Sequence, residues 1–150
     1  MGKKNKILHN KFGREDLEKQ LSQETFERTT LSFYKYVITK DPVGLRKHLF
    51  STWDNLNIKG RIYLAHEGIN AQLSCPKPNL DLFIKSINAI KEFNGVPLKI
   101  AVEENKISFL KLAIKVKKQI VADGLNNNEY DVTNVGGHLT AKEWNDCMNN

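Results

Sequence analysis

The chain has 150 residues, 40% of them hydrophobic and 27% charged, with a formal net charge of +6. Those proportions suit one globular domain with arms and exclude a disordered or fibrous protein. No apolar run approaches the roughly 20 residues needed to span a bilayer, and the basic stretch at positions 1–10 leads into no apolar signal core, so a cytoplasmic location is expected.

Residues 11–23 carry Leu17 and Leu21 four apart and predict a short amphipathic helix within an N-terminal arm, 1–27. The run 28–37, RTTLSFYKYV, is rich in Thr, Phe, Tyr and Val and predicts a strand. Asp41-Pro42 is a helix start, a capping acid followed by a first-turn proline. Leu45, Leu49, Trp53 and Leu56 then recur at helical spacing, and Asn57 and Gly60 supply the stop. Strands at 61–65 and 69–74 flank His66-Glu67-Gly68, a hairpin signal, and Pro76 and Pro78 end the pair. Leu80, Phe83, Ile84, Ile87 and Ile90 mark a second helix over 80–93.

Leu98, Ile100 and Val102 alternate with Lys99, Ala101 and Glu103, a fourth strand. Leu112, Ile114 and Val116 alternate with Lys111, Ala113, Lys115 and Lys117, a further one. The order is βαββαβ with an added strand. It predicts an α+β, ferredoxin-like domain over 28–122, with both helices on one face of an antiparallel sheet. Beyond Ala122-Asp123-Gly124 the sequence turns polar and acidic, a linker over 123–150 with Thr140 to Asn145 starting one more short helix.

The charge is uneven. Positions 28–65 carry seven basic and two acidic groups, 98–118 six and two, and 119–150 one and five. A basic field confined to two central segments points towards a polyanion, although solvated lysines account for many such clusters. Alternation supplies a surface for it. With Leu31, Phe33, Ile62, Leu64, Ile69, Ala71, Leu73, Leu112, Ile114 and Val116 turned to the helices, the opposite face holds Tyr34, Tyr36, Arg61, Tyr63, Asn70, Gln72, Lys111, Lys115 and Lys117. Three rings, cations and two amides suit base stacking and phosphate neutralisation. They suit packing against a second domain equally well. Lys35 falls on the core series and leaves the register at Tyr34-Lys35-Tyr36 open.

Patterns for conventional catalysis are missing: no phosphate loop, no histidine pair for a metal, no nucleophile beside a base. Cys75 and Cys147 are isolated and read as free thiols. His66-Glu67 reads as turn rather than acid–base pair, His48 and His138 as solvated, and His9 as part of the basic arm. A small acylphosphatase-like hydrolase on the same fold is kept open only by Arg61 and Asn70.

Several segments resemble one family. They are SFYKYV at 32–37, Asp41-Pro42, GRIYLAHEGINAQLS at 60–74, KLAIKVKKQIVADG at 111–124 and NVGGHLTAKEWN at 134–145. Together they resemble the N-terminal, ferredoxin-like part of the bacterial tRNA uridine hydroxylases, rhodanese-related proteins that hydroxylate carbon 5 of the wobble uridine. The resemblance implies tRNA and a rhodanese-like domain of the same polypeptide as partners, and molecular oxygen as co-substrate. It implies no metal and no cofactor bound by this domain. The family's essential cysteine lies in the rhodanese-like domain, so no catalytic residue is carried onto this chain. The chain is expected to stop before that domain and to be inactive alone.

Overall fold

The computed structural model describes residues 11–101, 108–120, 131, 133–134 and 136–149. The arm at 1–10 with His9, the strand end at Val102 and Glu103, and most of the expected linker from Ala122 to Val135 lie outside the described residues.

The β-rich run after the arm forms β1 (Arg28–Tyr36). It leads into α2 (Pro42–Asn55), preceded in the chain by α1 (Arg14–Ser22). The Asp41 carboxylate accepts the Gly44 amide proton at 2.9 Å, satisfying a first-turn donor while Pro42 needs none. The hairpin β2 (Lys59–Ala65) and β3 (Gly68–Pro76) follows, closed by the two-residue turn His66-Glu67. Gly68 is required there. Its φ is +144°, and a Cβ would meet the Lys35 carbonyl oxygen across the ladder. The second helix of the motif, α3 (Leu80–Asn88), is shorter than the periodicity predicts. Ile87 accepts from the Ile90 amide, and Lys91–Phe93 continues as a separate 3₁₀ turn, so Phe93 reaches the core from outside the helix.

The strand order is β4-β1-β3-β2-β5, with β4 (Lys99–Ile100) and β5 (Leu112–Val116) at the edges. Four strands pair antiparallel in the ferredoxin-like arrangement. The expectation of a wholly antiparallel sheet is corrected at one edge: β5 runs parallel to β2, with Ile62 opposite Ile114, and the sheet is mixed. β4 and β5 thus stand at opposite edges of the sheet, and β5 pairs with β2 from Gly60 opposite Leu112 to Leu64 opposite Val116.

Both helices lie on one face. Trp53 of α2, fully buried, meets Phe33 of the sheet and Phe83 of α3 edge-on, at ring separations of 6.5 and 5.3 Å. Its indole N–H donates to the Ser86 hydroxyl at 3.1 Å, which removes the penalty of burying that donor. Leu31, Phe33, Ile62, Leu64, Ile69, Ala71, Leu73, Leu112 and Ile114 are buried as the alternation predicts, whereas Val116, at the end of its strand, is 39% exposed. Phe50, outside the predicted stripe of α2, is buried too.

The N-terminal helix is tied down. Leu17 and Leu21 are buried, and just beyond the helix Glu24 grips Arg28 with two contacts of 2.6 and 2.7 Å. The same guanidinium donates to the carbonyls of Asn57 and Ser74 at 3.0 and 3.3 Å. A last helix, α4 (Ala141–Met148), opens with a reciprocal cap between Thr140 and Glu143 and leaves Trp144 and Met148 exposed.

Candidate functional site

The sheet face opposite the helices is built by register. Tyr34, Asn70, Tyr63 and Lys115 are successive cross-strand partners on β1, β3, β2 and β5, a single row across four strands. Two residues along, roughly 7 Å away, Ser32, Gln72, Arg61 and Ala113 form the next row. Tyr34, Arg61, Gln72 and Lys115 are exposed, while Asn70 and Tyr63 are half-buried between their neighbours.

Cations sit against the rings. The Lys117 ammonium lies 4.0 Å from the centre of the Tyr63 ring, and the Lys99 ammonium 5.7 Å from that of Tyr34. Tyr34 and Tyr36 meet edge-on at 6.3 Å. A ring with a cation on its face is held in place and carries positive charge beside a stacking surface, the pairing a single-stranded polyanion requires. Lys111 stands apart. It precedes β5 beyond the Arg61 row, and six residues of extended chain, roughly 20 Å, separate it from Lys117.

Sequence reasoning missed Lys99. Its alternation with Leu98 and Ile100 is visible in the sequence, but its place beside Tyr34 comes from the pairing of Ser32 with Lys99. Lys35 is half-buried on the helix side, so the uncertain register at Tyr34-Lys35-Tyr36 resolves with both tyrosines on the open face. Glu67, read as a turn residue, is buried and accepts the Ile120 amide proton, which anchors the chain after β5 to the hairpin. Its neighbour His66 is exposed and pairs through Nδ1 with the Thr39 carbonyl at 2.9 Å, so that nitrogen carries the proton.

Residues 28–120 match the family model described as the UPF0176 acylphosphatase-like domain. The chain belongs to that family. It is also 54% identical over 142 residues to a protein of Leptospira interrogans named tRNA uridine(34) hydroxylase, covering 95% of this chain and 39% of that one. A protein of the same name from Cronobacter sakazakii is 43% identical over 140 residues, covering 93% of this chain and 40% of that one. The chain therefore spans about two-fifths of the length of these relatives. Among solved structures, a BLUF protein, BlrB in its dark state, overlays with a TM-score of 0.44 at 15% identity over 62% of this chain and 75% of that one.

Within this acylphosphatase-like domain, a phosphate-ester site has little to stand on. Arg61 and Asn70 share the open face but not a row: Arg61 is opposite Gln72, and Asn70 opposite Tyr63. The amide at the start of α2 is already bonded to the Asp41 carboxylate, a negative charge where a phosphate would have to approach. The thiols divide by environment. Cys75 is buried, which pushes its pKa up to about 11 despite the nearby Arg28, whereas Cys147 is exposed on α4. Among the described residues no group of three or more His, Cys, Asp or Glu could hold a metal ion, and no helix is long and apolar enough to cross a membrane.

Proposed function

We propose that this chain is the tRNA-engaging domain of an oxygen-dependent tRNA uridine hydroxylase, and that its open sheet face holds the RNA. The observation that carries the reading is the in-register row Tyr34-Asn70-Tyr63-Lys115, flanked by Arg61, Gln72, Lys99 and Lys117. Rings accept unstacked bases, the two amides offer donors and acceptors to base edges, and the cations neutralise phosphates. The names of the relatives supply the substrate class. The hydroxylation itself, with molecular oxygen as co-substrate, belongs to a rhodanese-like domain of the longer protein, and this domain positions the RNA for it.

The length of the relatives supports a second reading, in which the same face packs on the remainder of such a protein. Titration of labelled tRNA with the 150-residue chain separates the two. Saturable binding that weakens with salt supports RNA engagement, and no binding at low salt leaves domain packing. A second experiment concerns the chemistry. Expression of the chain in a strain lacking the hydroxylase should restore no 5-hydroxyuridine by mass spectrometry of tRNA, and restoration would place the chemistry within these residues.

A further inference from the structure

Beside the open face, at the edge of β1, lies a cavity of about 700 Å³. Ligand pockets fall in the range of about 300–1,000 Å³, so it has room for one nucleotide. Tyr34 and Tyr36 line it from the strand, and Val96 and Pro97 from the turn after the 3₁₀ segment. That turn is fixed in place: Val96 is buried and its amide donates to the Phe93 carbonyl, and the Gly95 amide donates to the Asn88 side chain at 3.0 Å. Lys35 and Lys99 line the cavity as well, and so does His138, which the sequence reads as solvated.

We propose that this cavity takes a single unstacked nucleotide, its base against the tyrosine rings and apolar turn and its phosphate near Lys35 and Lys99. The inference rests on the RNA-binding reading and deepens it. A strand laid along the open face reaches the cavity through Tyr34, which belongs both to the cross-strand row and to the lining. Aromatic walls with a few polar groups suit a base, since every base has a π-face and needs its edges bonded when it leaves the stack. Two cations and no carboxylate among the lining residues make the cavity selective for an anionic ligand over a neutral nucleoside.

The test is a nuclear magnetic resonance titration of the full chain with uridine 5′-monophosphate, then with an anticodon stem-loop RNA. With the mononucleotide, the amide signals of Lys35, Tyr36, Gly95 and His138 should move saturably, while those of Arg61, Gln72 and Lys115 stay still. Tyr36→Ala should weaken mononucleotide binding by roughly tenfold or more, the loss expected for a base–aromatic stack, and Tyr36→Phe should restore it. Uridine, lacking the phosphate, should bind more weakly. If the stem-loop shifts Arg61 and Lys115 while the cavity signals stay silent for both ligands, RNA engagement stands and the cavity inference fails. If neither ligand binds, both fall. Mononucleotide shifts confined to the open face would likewise overturn the cavity assignment.

Discussion

Lys117 holds its ammonium 4.0 Å from the centre of the Tyr63 ring, across the β2–β5 junction that the parallel pairing creates. One face of the ring is therefore taken by a cation, and a base can stack only on the other. On the proposed RNA-binding reading, Lys117 would serve in two ways, as a phosphate partner and as the brace of a stacking ring. Replacing Lys115 and Lys117 with alanine should weaken tRNA binding and lower the logarithmic salt slope by roughly 0.7–0.9 per lost contact. Tyr63→Ala should cost about 1–3 kcal/mol of binding with little change in slope. Anisotropy of labelled tRNA across a salt series reads both. Equal affinity and slope for wild type and the double lysine variant would remove the open face from RNA binding.

Trp53 is the largest fully buried side chain among the described residues. It joins both helices to the sheet, and its indole is bonded to Ser86. Trp53→Ala should lower unfolding free energy by about 3–5 kcal/mol, measured by denaturant titration. Ser86→Ala leaves the indole donor buried without that partner and should cost about 1–3 kcal/mol. A loss near zero for the tryptophan change would mean that the two helices do not share one face.

Glu24 and Arg28 provide a pH-dependent contribution. Burial pushes the Glu24 carboxyl up, but hydrogen bonds and charge from Arg28, with Asn57 and Lys59, outweigh it and leave its pKa below the ordinary value. A carboxyl depressed in the folded state stabilises fully above its unfolded pKa, about 4.3, and loses that contribution as pH falls through the lowered folded value. Glu24→Gln should therefore cost about 1–3 kcal/mol near pH 7. The gap between wild type and variant should close in acid below pH of about 4. Thermal melts across pH 3–7 check it, and a gap that is constant with pH would show the ion pair to be idle.

The two thiols should react one after the other. Cys75 is buried and its pKa stands at about 11, so at pH 8 its thiolate is scarce as well as shielded. Cys147 is exposed. A chromogenic disulfide reagent should titrate one thiol per chain in the native state and two after denaturation. Two fast equivalents in the native protein would contradict the burial of β3's end.

Element order and core parity were legible because each apolar series repeats within a few residues. Leu31 and Phe33, or Ile62 and Leu64, declare their side of the sheet without knowledge of partners. What stayed hidden depends on residues far apart in the chain. The parallel register of Ile62 with Ile114, the pairing of Ser32 with Lys99 and the contact of Arg28 with Ser74 each join segments that local pattern cannot connect. For that reason the open-face residues were recognisable while Lys99 was missed. The same limit hid the docking of the N-terminal helix: Glu24 announces nothing until Arg28 and Asn57 surround it. The cavity, too, is made by the edge of β1, a turn some sixty residues later and the segment around His138.

Gly68 offers the sharpest local test of how the hairpin positions the site. It pairs with Tyr36 on β1 and with Ala65 on β2, so three strands meet at this residue. Its φ of +144° is one that side-chain-bearing residues rarely adopt, and a Cβ would run into the Lys35 carbonyl oxygen, a backbone atom that cannot turn aside. Gly68→Ala must therefore push β1 away from β3 or flip the turn. Strain of this kind costs about 1–3 kcal/mol from the dihedral alone, and the backbone clash adds to it. Because the displaced strand carries Tyr34 and Tyr36, RNA affinity should fall alongside stability. Phe33, on the same strand, should loosen against Trp53 and change the tryptophan emission. Thermal melting, anisotropy and fluorescence on one preparation separate the effects. A variant that melts with the wild type would show that the hairpin tip is not held against β1 as the ladder requires.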